Sequence, residues 1–109
     1  MKLIIAIVHD EDANKLIDEL TGDHYRVTKL ATTGGFLRAG NTTLLIGVQK
    51  EGVDRVIDII KTNCQSRKKI TTSVSPVAGP TSVYIPYPVE ICVGGATVFV
   101  IDVENHIKI

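Results

Sequence analysis

The run KLIIAIVH at residues 2–9 constrains this chain more than any other stretch. Six apolar residues in succession, Leu3 to Val8, suit a strand covered on both faces and are too few for a membrane span or the core of a signal peptide. A strand of that kind sits in the middle of its sheet, so the rest of the chain must supply neighbours for both its edges. The next residues supply cover: Ala13, Leu16, Ile17 and Leu20 fall at i, i+3, i+4 and i+7, with Asp10 or Asp12 placed to cap the start and Gly22 to stop the helix.

Two further strands and a second helix follow. HYRVTKLAT at 24–32 puts Arg26, Thr28 and Leu30 on one face and Tyr25, Val27 and Lys29 on the other. TTLLIGVQK at 42–50 puts Leu44, Ile46 and Val48 on one side and Leu45 and Gly47 on the other, and a glycine in mid-strand marks a place where another group comes close. GVDRVIDIIKTNC at 52–64 repeats the helical spacing through Val53, Val56, Ile57 and Ile60. From 65 to 88 the periodicity gives way to Ser, Thr, Pro and Gly. A long loop is expected there, with ITTSV at 70–74 as a short strand within it. VEICV, a turn at Gly94-Gly95 and ATVFVIDV then read as a hairpin closing the sheet, and ENHIKI at the end is uninformative alone.

The order is βαββαβ with an extra strand or hairpin, the ferredoxin-like arrangement of an α+β fold, in one domain of 109 residues. Both helices should cover one face of the sheet. The other face keeps apolar side chains from strands one, three and four, and self-association, as in a closed ring, is the economical way to bury them.

Twelve basic and twelve acidic residues cancel, which argues against gripping long nucleic acid through many phosphates and leaves room for a small anionic ligand. The connection from Arg26 to Val48 is the candidate site. Gly34, Gly35 and Gly40 open the backbone to a ligand, Arg26, Lys29 and Arg38 bring positive charge, Phe36 brings an aromatic face and Asn41 a paired donor and acceptor. That set suits a phosphorylated base. For each residue an ordinary alternative stands beside it: a solvated strand arginine for Arg26, a solvated side chain for Arg38, a satellite core contact for Phe36, and turn chemistry for Asn41.

No GK[ST] phosphate loop, nucleophile elbow or acid–base pair is present, so no catalytic residue is assigned and no enzyme is expected. Asp10, Glu11 and Asp12 suit a helix N-terminus electrostatically, and His9, His24 and His106 lack metal spacing, so neither metal nor cofactor is expected. Cys64 and Cys92 read as two unpaired thiols, Arg67-Lys68-Lys69 as a solvated loop start, and the chain as a cytoplasmic protein. An RNA-binding module of the same topology would carry aromatics on its central strands, where this chain has Ile, Ala and Val.

The segments KLATTGGFLRAGNTT, YIPYPVE and VGGATVFV resemble the bacterial PII-like cyclic di-AMP receptors, and the similarity runs from MKLIIAIV to about Val103. The resemblance implies a ferredoxin-like homotrimer without catalytic activity that binds cyclic di-AMP at each subunit interface and responds through its loops to a downstream protein. It places the dinucleotide against Arg26, Thr28, Gly35, Phe36, Leu37, Asn41 and Gly47, with further contacts from the neighbouring subunit. The chain departs from the family pattern at His24, commonly Asn, and in its HIKI tail, where Lys108 falls on a Gln. A classical PII sensor of ATP and 2-oxoglutarate is the nearer alternative. The short connection at 33–41 disfavours it, since those proteins resemble one another in a much longer loop there.

Overall fold

The computed structural model describes residues 1–30, 40–77 and 83–109, with side chains over 1–30, 40–70 and 88–109. The elements are β1 (Lys2–His9), α1 (Asp10–Gly22), β2 (Arg26–Lys29), β3 (Asn41–Val48), a 3-10 turn (Lys50–Gly52), α2 (Val53–Cys64), β4 (Arg67–Val77), β5 (Val83–Val93) and β6 (Ala96–Asp102). Four strands make the main sheet in the order β2-β3-β1-β6, every neighbour antiparallel. With one helix after β1 and one after β3, this is the ferredoxin-like order, and the apolar run 2–9 is central.

Burial follows residue parity. Ile4, Ala6 and Val8 of β1 and Leu44, Ile46 and Val48 of β3 face the helices and are buried against Ala13, Leu16 and Leu20 of α1 and Val56, Ile59, Ile60 and Cys64 of α2. Because side chains alternate along a strand, the odd-numbered residues face the other way, and no helix covers them. Registry aligns them in two rows: Arg26, Gly47, Leu3 and Ile101 in one, Thr28, Leu45, Ile5 and Phe99 in the next.

Three expectations need correction. The long loop over 65–88 is largely strand: β4 and β5 pair antiparallel from Arg67↔Val93 to Val77↔Val83, in a sheet of their own. β4 and β5 form a sheet apart from the core, and the stretch 65–88 carries no apolar periodicity that would place it there. Each of the two strands also has one free edge, which tolerates Pro76, Pro86 and Pro88. The closing hairpin is likewise absent: VEICV belongs to β5 and pairs with β4, and β6 alone adds to the main sheet, beside β1. Gly94 and Gly95, at φ 82° and 86°, turn the chain from one sheet into the other. A side chain at Gly94 would meet the Gln65 carbonyl and lie 2.6 Å from the Arg67 guanidinium.

The third correction concerns Arg67. Its guanidinium donates to both carboxylate oxygens of the buried Asp12 at 2.9 and 3.4 Å, and to the Gln65 carbonyl at 3.1 Å, while Lys69 lies 3.6 Å from Glu11. The basic run is therefore the foot of the ribbon, joined to the acidic first turn of α1. That helix starts after His9, whose side chain makes no cap bond to the backbone, so neither Asp10 nor Asp12 is the capping residue.

Candidate functional site

Arg26 and Thr28 lie on the open face because their neighbours Tyr25 and Val27 pack on the core. Across the strand pair, Arg26 stands opposite Gly47 and Thr28 opposite Leu45. A cleft of about 680 Å³ opens over this end of the sheet, floored by Leu3, Leu45 and Gly47 and flanked by Arg26 and Thr28. Its size is that of an ordinary small-molecule site. At Gly47 a Cβ would meet no atom within 4 Å, and the residue has no positive φ. The close approach that this glycine suggests is therefore not made by any described residue of the chain, and bare backbone is left facing the cleft.

The structure brings Arg26, Thr28 and Gly47 together and sets Asn41 apart. Asn41 begins β3 six residues before Gly47, about 20 Å away at strand rise, and lines a second hollow of about 300 Å³ with His9, Gly94, Gly95 and Thr97. There the Gly94 amide donates to His9 Nδ1 at 3.2 Å. Gly35, Phe36, Leu37 and Arg38 lie outside the described residues. The residues on either side of that connection are held at the Asn41 end of the sheet: Leu30 N donates to the Thr43 carbonyl (3.0 Å), Asp10 N to the Gly40 carbonyl (2.8 Å), and Thr42 Oγ1 to Asp10 Oδ1 (2.5 Å).

Two parts of the cleft were not legible as site residues. His24, in the turn after α1, has φ 68°, and the tail contributes Val103, His106 and Lys108. The available signal was the alternation in HIKI: His106 and Lys108 line the cleft while Ile107 and Ile109 are exposed. Every charged side chain lining the cleft is basic or a histidine, and none is a carboxylate. An anion with an apolar, planar portion suits such a surface, basic at the rim and apolar at the floor.

Two titratable groups outside the cleft are shifted by their surroundings. Asp102 pairs with Lys2, whose hydrogen bond and charge hold its carboxyl below the usual range. Burial, with Asp12 nearby, pushes the Cys64 thiol up to about 11; Cys64 and the exposed Cys92 are both free thiols. Among the described residues no group of three or more His, Cys, Asp or Glu could hold a metal ion, and no helix is long and apolar enough to cross a membrane.

Fold and cleft define a class: a small α+β protein with an open sheet face bordered by a basic cleft. Comparison with known proteins makes the class specific. The chain belongs to the cyclic-di-AMP receptor family, whose model matches residues 1–109. It is also similar to a protein of unknown function from Pediococcus pentosaceus ATCC 25745, solved by crystallography, at 42% sequence identity over 99% of this chain and 96% of that one, with a TM-score of 0.75.

Proposed function

We propose that the chain is a cytoplasmic signal-transduction protein that binds cyclic di-AMP at the interfaces of a homotrimer, catalyses nothing, and signals to a downstream protein through its loops. The observation that carries this reading is the division of the candidate residues between the two ends of β3. Arg26, Thr28 and Gly47 share one cleft, and Asn41 stands about 20 Å away with the connection that bears Phe36. An interface that seats the Asn41 end of one copy beside the Arg26 end of the next would unite them on one ligand. In that arrangement Arg26 bonds a phosphodiester, Thr28 donates its hydroxyl, and Gly47 lets an adenine lie on the strand. Phe36 stacks on a base, Asn41 reads an adenine edge, and Gly35, Leu37 and Arg38 complete the contacts from the connection.

The signalling step follows from composition. The connection at 33–41 and the β4–β5 ribbon that takes up most of 65–88 lack the one-sided apolar pattern that would hold them to the core, so contacts with a ligand can select among their conformations. Ordering a residue costs about 1–2 kcal/mol, which consumes much of the contact energy and puts the affinity on the order of micromolar. Calorimetric titration with cyclic di-AMP, cyclic di-GMP, ATP and a short RNA tests the reading. Saturable binding of the first, at least tenfold tighter than the others, is expected. Preference for ATP would make the chain a PII-type ATP sensor instead, and preference for RNA would return it to the nucleic-acid-binding modules. Hydrogen exchange with and without ligand tests the loops, which should gain protection; a gain confined to the strands of the main sheet would remove the signalling step.

A further inference from the structure

We propose that the C-terminal tail and the turn after α1 give the cleft a titratable cationic wall, in which His24, His106 and Lys108 join Arg26 in neutralising the phosphates of the ligand and make binding tighten as pH falls. The inference rests on the reading of this cleft as a nucleotide site and adds to it the residues that set its charge.

The tail starts on the far side of the sheet from Arg26. β6 is one edge and β2 the other, three strand spacings apart, about 14 Å. Val103 N donates to the Met1 carbonyl at 3.2 Å, which turns the chain from β6 across the start of β1. The five residue steps from Val103 to Lys108 span up to about 17 Å when extended, enough to cross to the rim beside β2. Their alternation puts His106 and Lys108 into the cleft lining and leaves Ile107 and Ile109 outside. His24 arrives from the opposite direction. It is the sole non-glycine residue at positive φ among the described residues, held there by bonds from His24 N to the Thr21 carbonyl and from Tyr25 N to the Leu20 carbonyl, each 3.0 Å. Those bonds close the C-terminus of α1 in the usual left-handed turn, and they fix where the His24 side chain leaves the backbone, beside the cleft.

Facing groups decide what protonation does. The turn after α1 contributes His24 and Tyr25, β2 contributes Arg26, the tail contributes His106 and Lys108, and Met1 brings the N-terminal ammonium. β1, β3 and the 3-10 turn contribute no ionisable side chain to the lining. The carboxylates nearest in sequence lie outside it: Asp23 pairs with Arg55 at 2.8 Å and Asp102 with Lys2, and neither Glu51 nor Glu104 lines the cleft. With no carboxylate in the lining, Arg26, Lys108 and the two histidines repel further positive charge until an anion binds, so a phosphate in the cleft and histidine protonation favour each other. A cyclic dinucleotide carries two phosphodiester charges that do not change near neutrality, whereas histidine changes charge between pH 5 and 8. Ligand that binds the protonated histidines better must bind more tightly at lower pH, and these exposed charges must be screened by salt.

The test is titration of the full chain with cyclic di-AMP at pH 5.5, 6.5 and 8.0, in low and high salt. The unchanged chain should bind at least tenfold more tightly at pH 5.5 than at 8.0, with the gain reduced in high salt. Lys108→Gln should weaken binding severalfold at every pH and keep the pH slope. His24→Asn with His106→Gln should lose the slope, giving affinities at pH 5.5 and 8.0 within about twofold of each other. Histidine NMR titration of the unchanged chain needs no variant: ligand should move the midpoints of His24 and His106 to higher pH. An affinity independent of pH, a slope that survives the double substitution, or histidine midpoints unmoved by ligand would overturn the cationic wall and leave the receptor reading standing. Absence of any cyclic di-AMP binding would overturn both.

Discussion

Gly47 and Gly94 are both glycines, and the structure assigns them opposite reasons. At Gly47 a side chain meets only open space, so the absence of one does nothing for the fold. Gly47→Val should leave thermal stability unchanged or raised by up to about 1 kcal/mol, since glycine weakens a strand and valine suits one. The same change should weaken cyclic di-AMP binding more than tenfold by filling the cleft floor; paired melting and titration of one preparation separates the two effects. At Gly94 the positive φ and the crowding against Gln65 and Arg67 both oppose a side chain. Gly94→Ala should lose roughly 1–3 kcal/mol on chemical denaturation, the range for a strained backbone position. Arg26→Ala, on the exposed face, should keep the fold and cost about 1.5–3 kcal/mol of ligand affinity if the guanidinium meets a phosphate. The two thiols divide in the same way. Burial raises Cys64 from 9.0 to about 11, so the folded state holds that proton while the unfolded chain releases it. The stability this contributes is complete below pH 9 and is lost as pH rises towards 11. At pH 8 an alkylating reagent should modify Cys92 quickly and Cys64 only as fast as the protein unfolds.

At the scale of elements, what was legible in the sequence is what is buried on one side. β1, β3 and both helices pack a single face or stripe on the core, so their periods appear in the residues and their positions follow. Even the facing of Arg26 and Thr28 away from Val27 was readable, because strand alternation fixes it. The β4–β5 ribbon was not, since it pairs apart from the main sheet and no residue pattern records that pairing. Nor was Arg67, whose partner Asp12 is distant in sequence. The tail was silent for a related reason: a period of two over four residues gains meaning only once the cleft beside it is known. The Arg67–Asp12 pair makes a prediction at this scale. The exposed arginine leaves the pair screened by solvent, so it contributes less than a buried charge-assisted bond would. A two-stranded ribbon is only marginally stable alone, so that contribution falls mostly on the ribbon. Asp12→Ala should therefore speed amide exchange along β4 and β5 while β1 and β3 keep their protection. Equal loss in both sheets would show that the pair supports the whole domain.

For the whole molecule, the open sheet face is the unresolved demand. Phe99 is 52% exposed and Ile101 46%, beside the half-buried Leu3, Ile5, Ile7 and Leu45, and these form one continuous apolar surface between the candidate cleft and β6. A soluble protein seldom leaves such a surface to water, and burying it against further copies removes about 25 cal/mol from the free energy for each Å² of apolar area covered. Self-association also answers the separation of Asn41 from Gly47, because a subunit boundary can bring opposite ends of neighbouring sheets together. We expect sedimentation at micromolar concentration to give about three times the 11.8 kDa chain mass. Phe99 is the place to test it: the residue pairs with Ile5 in the middle of the face and makes no part of the cleft. Phe99→Asp puts a charge where the association must be dry, and because the native side chain already faces solvent in the single chain, the monomer should still fold. That monomer retains Arg26, Thr28 and Gly47 but has no neighbour to offer Asn41, so its affinity for cyclic di-AMP should fall at least tenfold. Monomer with undiminished affinity would place the entire site within one chain, and a variant that stays trimeric would move the interface off this face.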